Sequence, residues 1–81
     1  MTYEEMLAML ESLGETATYH EEEDHELHVT LQDMIREYDE DAADDFIEML
    51  EEAAERVEGD FYHYYYFEGF TVEVGYASFD D

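Results

Sequence analysis

The chain has 81 residues, of which 26 are Asp or Glu and only two, Arg36 and Arg56, are Lys or Arg, giving a formal net charge of −24. A field of that sign excludes direct nucleic-acid binding and docking on anionic membranes, and it favours positively charged partners. Without Cys there is no disulfide framework and no thiolate metal site, and no apolar run approaches the roughly 18 residues of a membrane span.

Hydrophobic residues make up 46% of the chain and aromatics 16%, more than a disordered acidic tail would carry. The length allows one core and hence one acidic domain over residues 1–81. Glu4 and Glu5 stand where a signal peptide would carry basic residues, so a cytoplasmic location is expected.

Thr2 to Leu13 reads as an amphipathic helix. Thr2 and Glu5 form a capping box, Tyr3, Met6, Leu7, Leu10 and Leu13 share one face, and Gly14 marks the stop. Thr16–His20 and Glu26–Leu31 read as strands of a hairpin around the acidic loop Glu21-Glu22-Glu23-Asp24. Leu31, Met34, Ile35 and Tyr38 have the spacing of a short helix, and Asp41 is placed to cap the next one.

That next helix is expected over Ala42–Glu58. Ala43, Phe46, Ile47, Leu50, Ala53, Ala54 and Val57 fall on one arc. Asp44, Glu48, Glu51, Glu52, Glu55 and Glu58 fall on the opposite arc, and Asp45 adds to the acidic run. Phe61–Phe67 and Phe70–Tyr76 alternate across a Glu68-Gly69 turn, a strong hairpin signal. Their register pairs Phe67 with Phe70, Tyr65 with Val72, His63 with Val74 and Phe61 with Tyr76. The order α-ββ-αα-ββ predicts an α+β domain, an antiparallel sheet with helices packed on one face.

Three groups of residues bear on function. The first is acidic. Surfaces normally mix Glu with Lys, because like charges at i, i+4 destabilise by a few tenths of a kcal/mol. Here that relief is missing. Arg56 follows Glu52 by one helical turn, and Arg36 lies near Asp33 and Glu40, so both cations can be neutralised locally. The second group is Tyr62, Tyr64 and Tyr66, which alternate away from the core face of their strand. They are either an exposed aromatic strip suited to a protein partner or a second core face under a helix.

The third group is His20, His25 and His28 around Glu21–Asp24. Such residues can bind Zn²⁺, but their spacing matches no metal motif, so no metal and no cofactor is expected. Ser12 and Ser78 sit in no nucleophile motif, and carboxylates are too abundant to mark a general acid or base. The chain is not expected to be an enzyme.

Twenty-four charges correspond to about 41 Å of duplex DNA. With Asp44-Asp45, Glu51-Glu52 and the Glu21–Asp24 run on a small mixed α/β body, the chain resembles the viral DNA-mimic inhibitors, the small acidic anti-CRISPR and anti-restriction proteins of phages. The resemblance is one of size, charge and composition over the whole chain, since this class shares no sequence motif. It implies non-catalytic inhibition in the cytoplasm of an infected cell. The acidic residues, with Tyr62, Tyr64 and Tyr66, would occupy the basic DNA-binding surface of a protein, a CRISPR effector complex before others, and exclude target DNA. Inhibition of a restriction or DNA-repair enzyme is the alternative within the class. Outside it stands a domain adapted to high salt, for which the excess of Glu over Asp counts slightly against.

Overall fold

The computed structural model describes residues 1–23 and 25–77. The first helix, α1, spans Tyr3–Ser12. Thr2 Oγ1 accepts from the Glu5 N–H at 3.1 Å and Glu5 Oε1 accepts from the Thr2 N–H at 2.9 Å. The expected capping box is therefore closed in both directions. A 3-10 turn at Gly14–Thr16 leads into β1, Ala17–Glu22, and β2, Glu26–Leu31, which pair as the expected hairpin.

The short helix expected after Leu31 does not form. Leu31 is taken by β2, where it pairs with Ala17, and what remains of the periodic segment is too short to repay helix nucleation. Gln32 to Tyr38 instead folds into successive turns, Ile35 donating to Gln32 O and Tyr38 to Ile35 O. Thr16 pins both ends: its carbonyl accepts from the Gln32 N–H at 2.7 Å and its hydroxyl from the Asp39 N–H at 2.9 Å. The cap of the next helix is accordingly Asp39, not Asp41, with Oδ1 accepting from the Ala42 N–H at 3.1 Å.

That helix, α2, runs over Glu40–Ala53 and stops short of the expected Glu58. Its last turn carries no basic residue, so each further Glu would meet the negative end of the helix dipole. The chain turns extended at Ala54, and Glu55–Glu58 forms β3, paired with β4, His63–Phe67. Glu55 and Glu58 thus belong to an edge strand and not to the helix. Strand β5, Phe70–Tyr76, completes the expected hairpin around Gly69, whose φ of 94° needs a glycine. Phe67 pairs with Phe70, Tyr65 with Val72 and His63 with Val74, as the alternation requires. Phe61 precedes β4 and does not meet Tyr76; it is 86% exposed.

The element order is therefore α-ββ-α-βββ, and the fold is α+β. The five-stranded sheet has the order β1-β2-β5-β4-β3. Three of its pairings are antiparallel, as expected, but β2 and β5 run parallel, so the sheet is mixed. Both hairpins are local. Joining them through their inner strands needs a long connection, here the crossover through α2 and β3.

Alternate residues Leu27, Val29 and Leu31 of β2, Phe70, Val72 and Val74 of β5, and Tyr65 of β4 form one core with Met6 and Leu10 of α1 and Ala43, Phe46 and Leu50 of α2. Both helices therefore cover the same face of the sheet. Full burial of each Leu or Val contributes about 1.5–3 kcal/mol. The edge strand β3 is exposed along its length, and its charged residues discourage pairing with another chain.

Tyr65 is fully buried, and its hydroxyl forms no directed hydrogen bond although Arg56 is its cross-strand neighbour. A buried unsatisfied hydroxyl costs about 1–3 kcal/mol. Replacing Tyr65 by Phe should therefore leave the unfolding free energy unchanged or raise it by about 1 kcal/mol. Urea denaturation measures this, and a loss of stability would show that the hydroxyl is satisfied after all.

Candidate interaction surfaces

On the helical side, α2 keeps Ala43, Phe46 and Leu50 inward. Asp44, Asp45, Glu48, Glu51 and Glu52 are all exposed on the opposite arc, as expected from a helical period of 3.6 residues. The helix lies over β3 and β4, so its row of carboxylates continues toward Glu58 on the sheet edge. Arg56 interrupts it there. Its guanidinium pairs with Glu51 Oε2 at 2.6 Å and with Glu58 Oε2, and not with Glu52. Hydrogen bonding to Glu58 is the leading reason why the Arg56 pKa is raised further, partly countered by desolvation and reinforced by Glu51. Among the described residues Arg36 makes no ion pair with Asp33 or Glu40.

The acidic loop lies elsewhere. Glu21 and Glu22 are the end of β1, and Glu23 begins the turn. Strand β1 is the sheet edge opposite β3, about 19 Å away at the usual interstrand spacing. Asp24 lies outside the described residues. The structure therefore joins Glu58 to the α2 acid Glu51 through Arg56, sets Glu55 opposite Tyr66 on the other face of the sheet, and keeps Glu21, Glu22 and Glu23 apart from them.

Among the described residues, the other sheet face has no helix on it. Tyr62, Tyr64 and Tyr66 stand there, so the strip is not a second core. Tyr62 is 42% and Tyr66 47% exposed, and Tyr64 is half-buried. Tyr64 and Tyr66 stack with ring centres 6.5 Å apart. Tyr62 lies on Gly75, where a Cβ would come within 2.5 Å of its ring. The absence of a side chain at Gly75 is what lets that ring lie flat on β5.

Beside this strip a cross-strand row runs through His20, His28, Glu73 and Tyr64. The His20 and His28 rings stack at 5.0 Å, and His20 Nε2 lies 2.6 Å from Glu22 Oε2. His25 does not join them; its ring packs edge-on against Tyr3 at 5.2 Å. The grouping of His20, His25 and His28 expected from their spacing is thus broken up. Glu73 is the residue that local spacing could not reveal. It sits on the central strand with 8% of its surface exposed. Its Oε1 is 2.6 Å from His28 Nδ1 but has no directed hydrogen bond. Hydrogen bonding to Glu73, and then its charge, raises the Tyr64 phenol above its ordinary value. The only sequence signal for this residue was an acidic side chain between two core valines, Val72 and Val74.

Among the described residues, Glu26, His28 and Glu73 form one group able to hold a metal ion, with one donor atom from each within 4.8 Å of the others. Among the described residues no helix is long and apolar enough to cross a membrane. No known protein family, curated protein or solved structure matches this chain.

Four phenols are raised in the fold: Tyr3, Tyr38 and Tyr65 chiefly by burial, and Tyr64 chiefly by Glu73. A raised folded-state value favours the protonated form, so this stabilisation is complete below the unfolded phenol value of about 10. It is lost as the pH rises through the folded values. Urea midpoints should hold up to that pH and then fall. In Glu73→Gln the Tyr64 titration, followed by phenolate absorbance against a Tyr64→Phe control, should move down; an unmoved titration would disconnect the two residues.

Proposed function

We propose that this chain is a stoichiometric DNA-mimic inhibitor that binds the basic duplex-binding surface of a nucleic-acid-binding protein. The target that the family resemblance favours is a CRISPR effector complex, whose PAM-reading and duplex-binding groove would be blocked. One observation supports the reading above the rest: exposed carboxylates on regular elements, α2 and β3, with Arg56 as the one cation among them. A solvated surface needs neither that order nor that absence of Lys.

Dimensions support it as well. Charge equivalent to about 41 Å of duplex is carried on a body whose longest extent is 34 Å. A helix of this length runs about 21 Å, with successive carboxylates on its outer arc one turn or less apart, against about 3.4 Å per phosphate on one DNA strand. A groove lined with Lys and Arg would meet a comparable field on either body. The working surface is the outer arc of α2 with Glu55 and Glu58 at the β3 edge. Around that edge the open sheet face begins, where Tyr66, paired with Glu55, adds apolar contact area.

The test is competition. Fluorescently labelled target duplex is bound to a purified effector–guide complex, a restriction enzyme and a DNA-repair glycosylase, and the chain is added to each. Displacement from one of them should be one-to-one and should weaken steeply with salt. Reversing Glu48, Glu51 and Glu52 to Lys should raise the inhibitory concentration at least about a hundredfold, because like charges facing across an interface cost several kcal/mol. Reversing Glu21, Glu22 and Glu23 should have much less effect. Failure to displace DNA from any of the three, in a sample that circular dichroism shows to be folded in dilute buffer, would overturn the reading. A chain that folds only in molar salt would point to high-salt adaptation.

A further inference from the structure

We propose that Glu26, His28 and Glu73 form a binding site for one divalent first-row transition-metal ion, Zn²⁺ foremost, on the open face of the sheet. The proposal is independent of the DNA-mimic reading. The three side chains share that face because Glu26 and His28 are two apart on β2 and Glu73 is the register partner of His28 on β5. Their Cα positions are thus set by two neighbouring inner strands of the sheet, not by a loop.

The geometry suits such an ion. Ligand bonds of about 2.0–2.2 Å put the donors of a tetrahedral Zn²⁺ site some 3.3–3.6 Å apart. Here one donor atom from each of the three side chains lies within 4.8 Å of the others; Glu73 Oε1 and Glu26 Oε1 approach different nitrogens of the His28 ring, at 2.6 and 4.0 Å, so the ion takes one nitrogen and the other carboxylate turns toward it. Small rotamer changes bring these spacings into range. The open face leaves a fourth position for water or for a side chain of a partner.

Electrostatics points the same way. Glu73 is more than nine-tenths buried, and its Oε1 has no directed hydrogen bond, which is costly for a carboxylate. A divalent ion with a neutral imidazole and two carboxylates sums to zero. One nitrogen and two oxygens, with no thiolate, favour Zn²⁺ and its neighbours over Ca²⁺ or Mg²⁺, which prefer all-oxygen shells. The surrounding field of −24 draws cations of every kind toward the surface. Selectivity against Mg²⁺ is therefore what distinguishes a built site from that background.

The metal-free protein is titrated with Zn²⁺ by calorimetry in physiological salt and excess Mg²⁺, which saturates diffuse binding. One Zn²⁺ per chain is expected. His28→Gln and Glu73→Gln should weaken it by about 10–100-fold or more, whereas Glu48→Gln, the same loss of charge on α2, should leave it unchanged. Because Glu73 is buried, its variant can fail to fold. Nitrogen-15 spectra of the wild-type imidazoles therefore supply a second readout, in which the His28 ring should shift with a one-to-one endpoint. Several weak equivalents, equal losses in all three variants, or a His28 ring that does not respond would each overturn the site.

Discussion

Strand β5 is the constraint on which the rest of this molecule depends. It pairs with β2 on one side and β4 on the other, and it is buried on both faces. Its inward residues, Phe70, Val72 and Val74, belong to the one core that both helices enter, and its outward residues, Glu73 and Gly75, form the floor of the open face. A central strand buried on both faces ordinarily reads as a nearly continuous apolar run. Here one outward position is a carboxylate. The pairing that unites the two hairpins into one sheet is also the pairing that places Glu73 against His28.

The net charge acts against this arrangement. Repulsion between surface carboxylates opposes compaction, and neither helix has a cation in its last turn to meet its dipole. Cohesion therefore rests on a single apolar cluster and on terminal devices, the Thr2–Glu5 capping box and the Asp39 cap. At physiological ionic strength screening over about 8 Å separates distant acids from one another but not neighbours one helical turn apart. The self-repulsion is thus concentrated on α2, whose C-terminal end is also where the chain abandons the helix for β3. Arg56, clamped between Glu51 and Glu58, ties that end of α2 to the edge strand.

Local patterns were legible in the sequence and long-range ones were not. The capping box, the inward arc of α2, the span of β2 and the register of the β4–β5 hairpin are short-range consequences of side-chain period and turn chemistry. The apolar arc of α2 appeared to extend to Val57 because Ala53, Ala54 and Val57 continue a helical period. Val57 is β-branched and Arg56 has partners on either side, so pairing with Tyr64 and Tyr65 takes those residues into a strand. The segment after Leu31 departs from its helical spacing for a related reason: Leu31 satisfies the pattern of a strand and of a helix, and tertiary pairing decides. Alternation correctly put Tyr62, Tyr64 and Tyr66 on one face, but only the placement of both helices shows that face to be open. The parallel contact of β2 with β5 leaves no local trace, and with it the Glu73–His28 approach was hidden.

The sheet thus separates two chemistries. Its helical side presents exposed carboxylates on a regular lattice and offers a partner charge with little shape. Its open side presents stacked tyrosines, two stacked imidazoles and a buried carboxylate, where charge is local and shape is specific. Field strength falls off smoothly and steers encounter, whereas close aromatic and coordinating contacts act only after docking and set the dissociation rate. The two faces meet along β3, where Glu55 pairs with Tyr66 and Val57 with Tyr64. A partner groove that wraps this edge reaches both chemistries at once, while one that lies flat on α2 reaches only the first. On the proposed reading, the edge strand is therefore the place where the acidic field and the aromatic contacts act together on the partner.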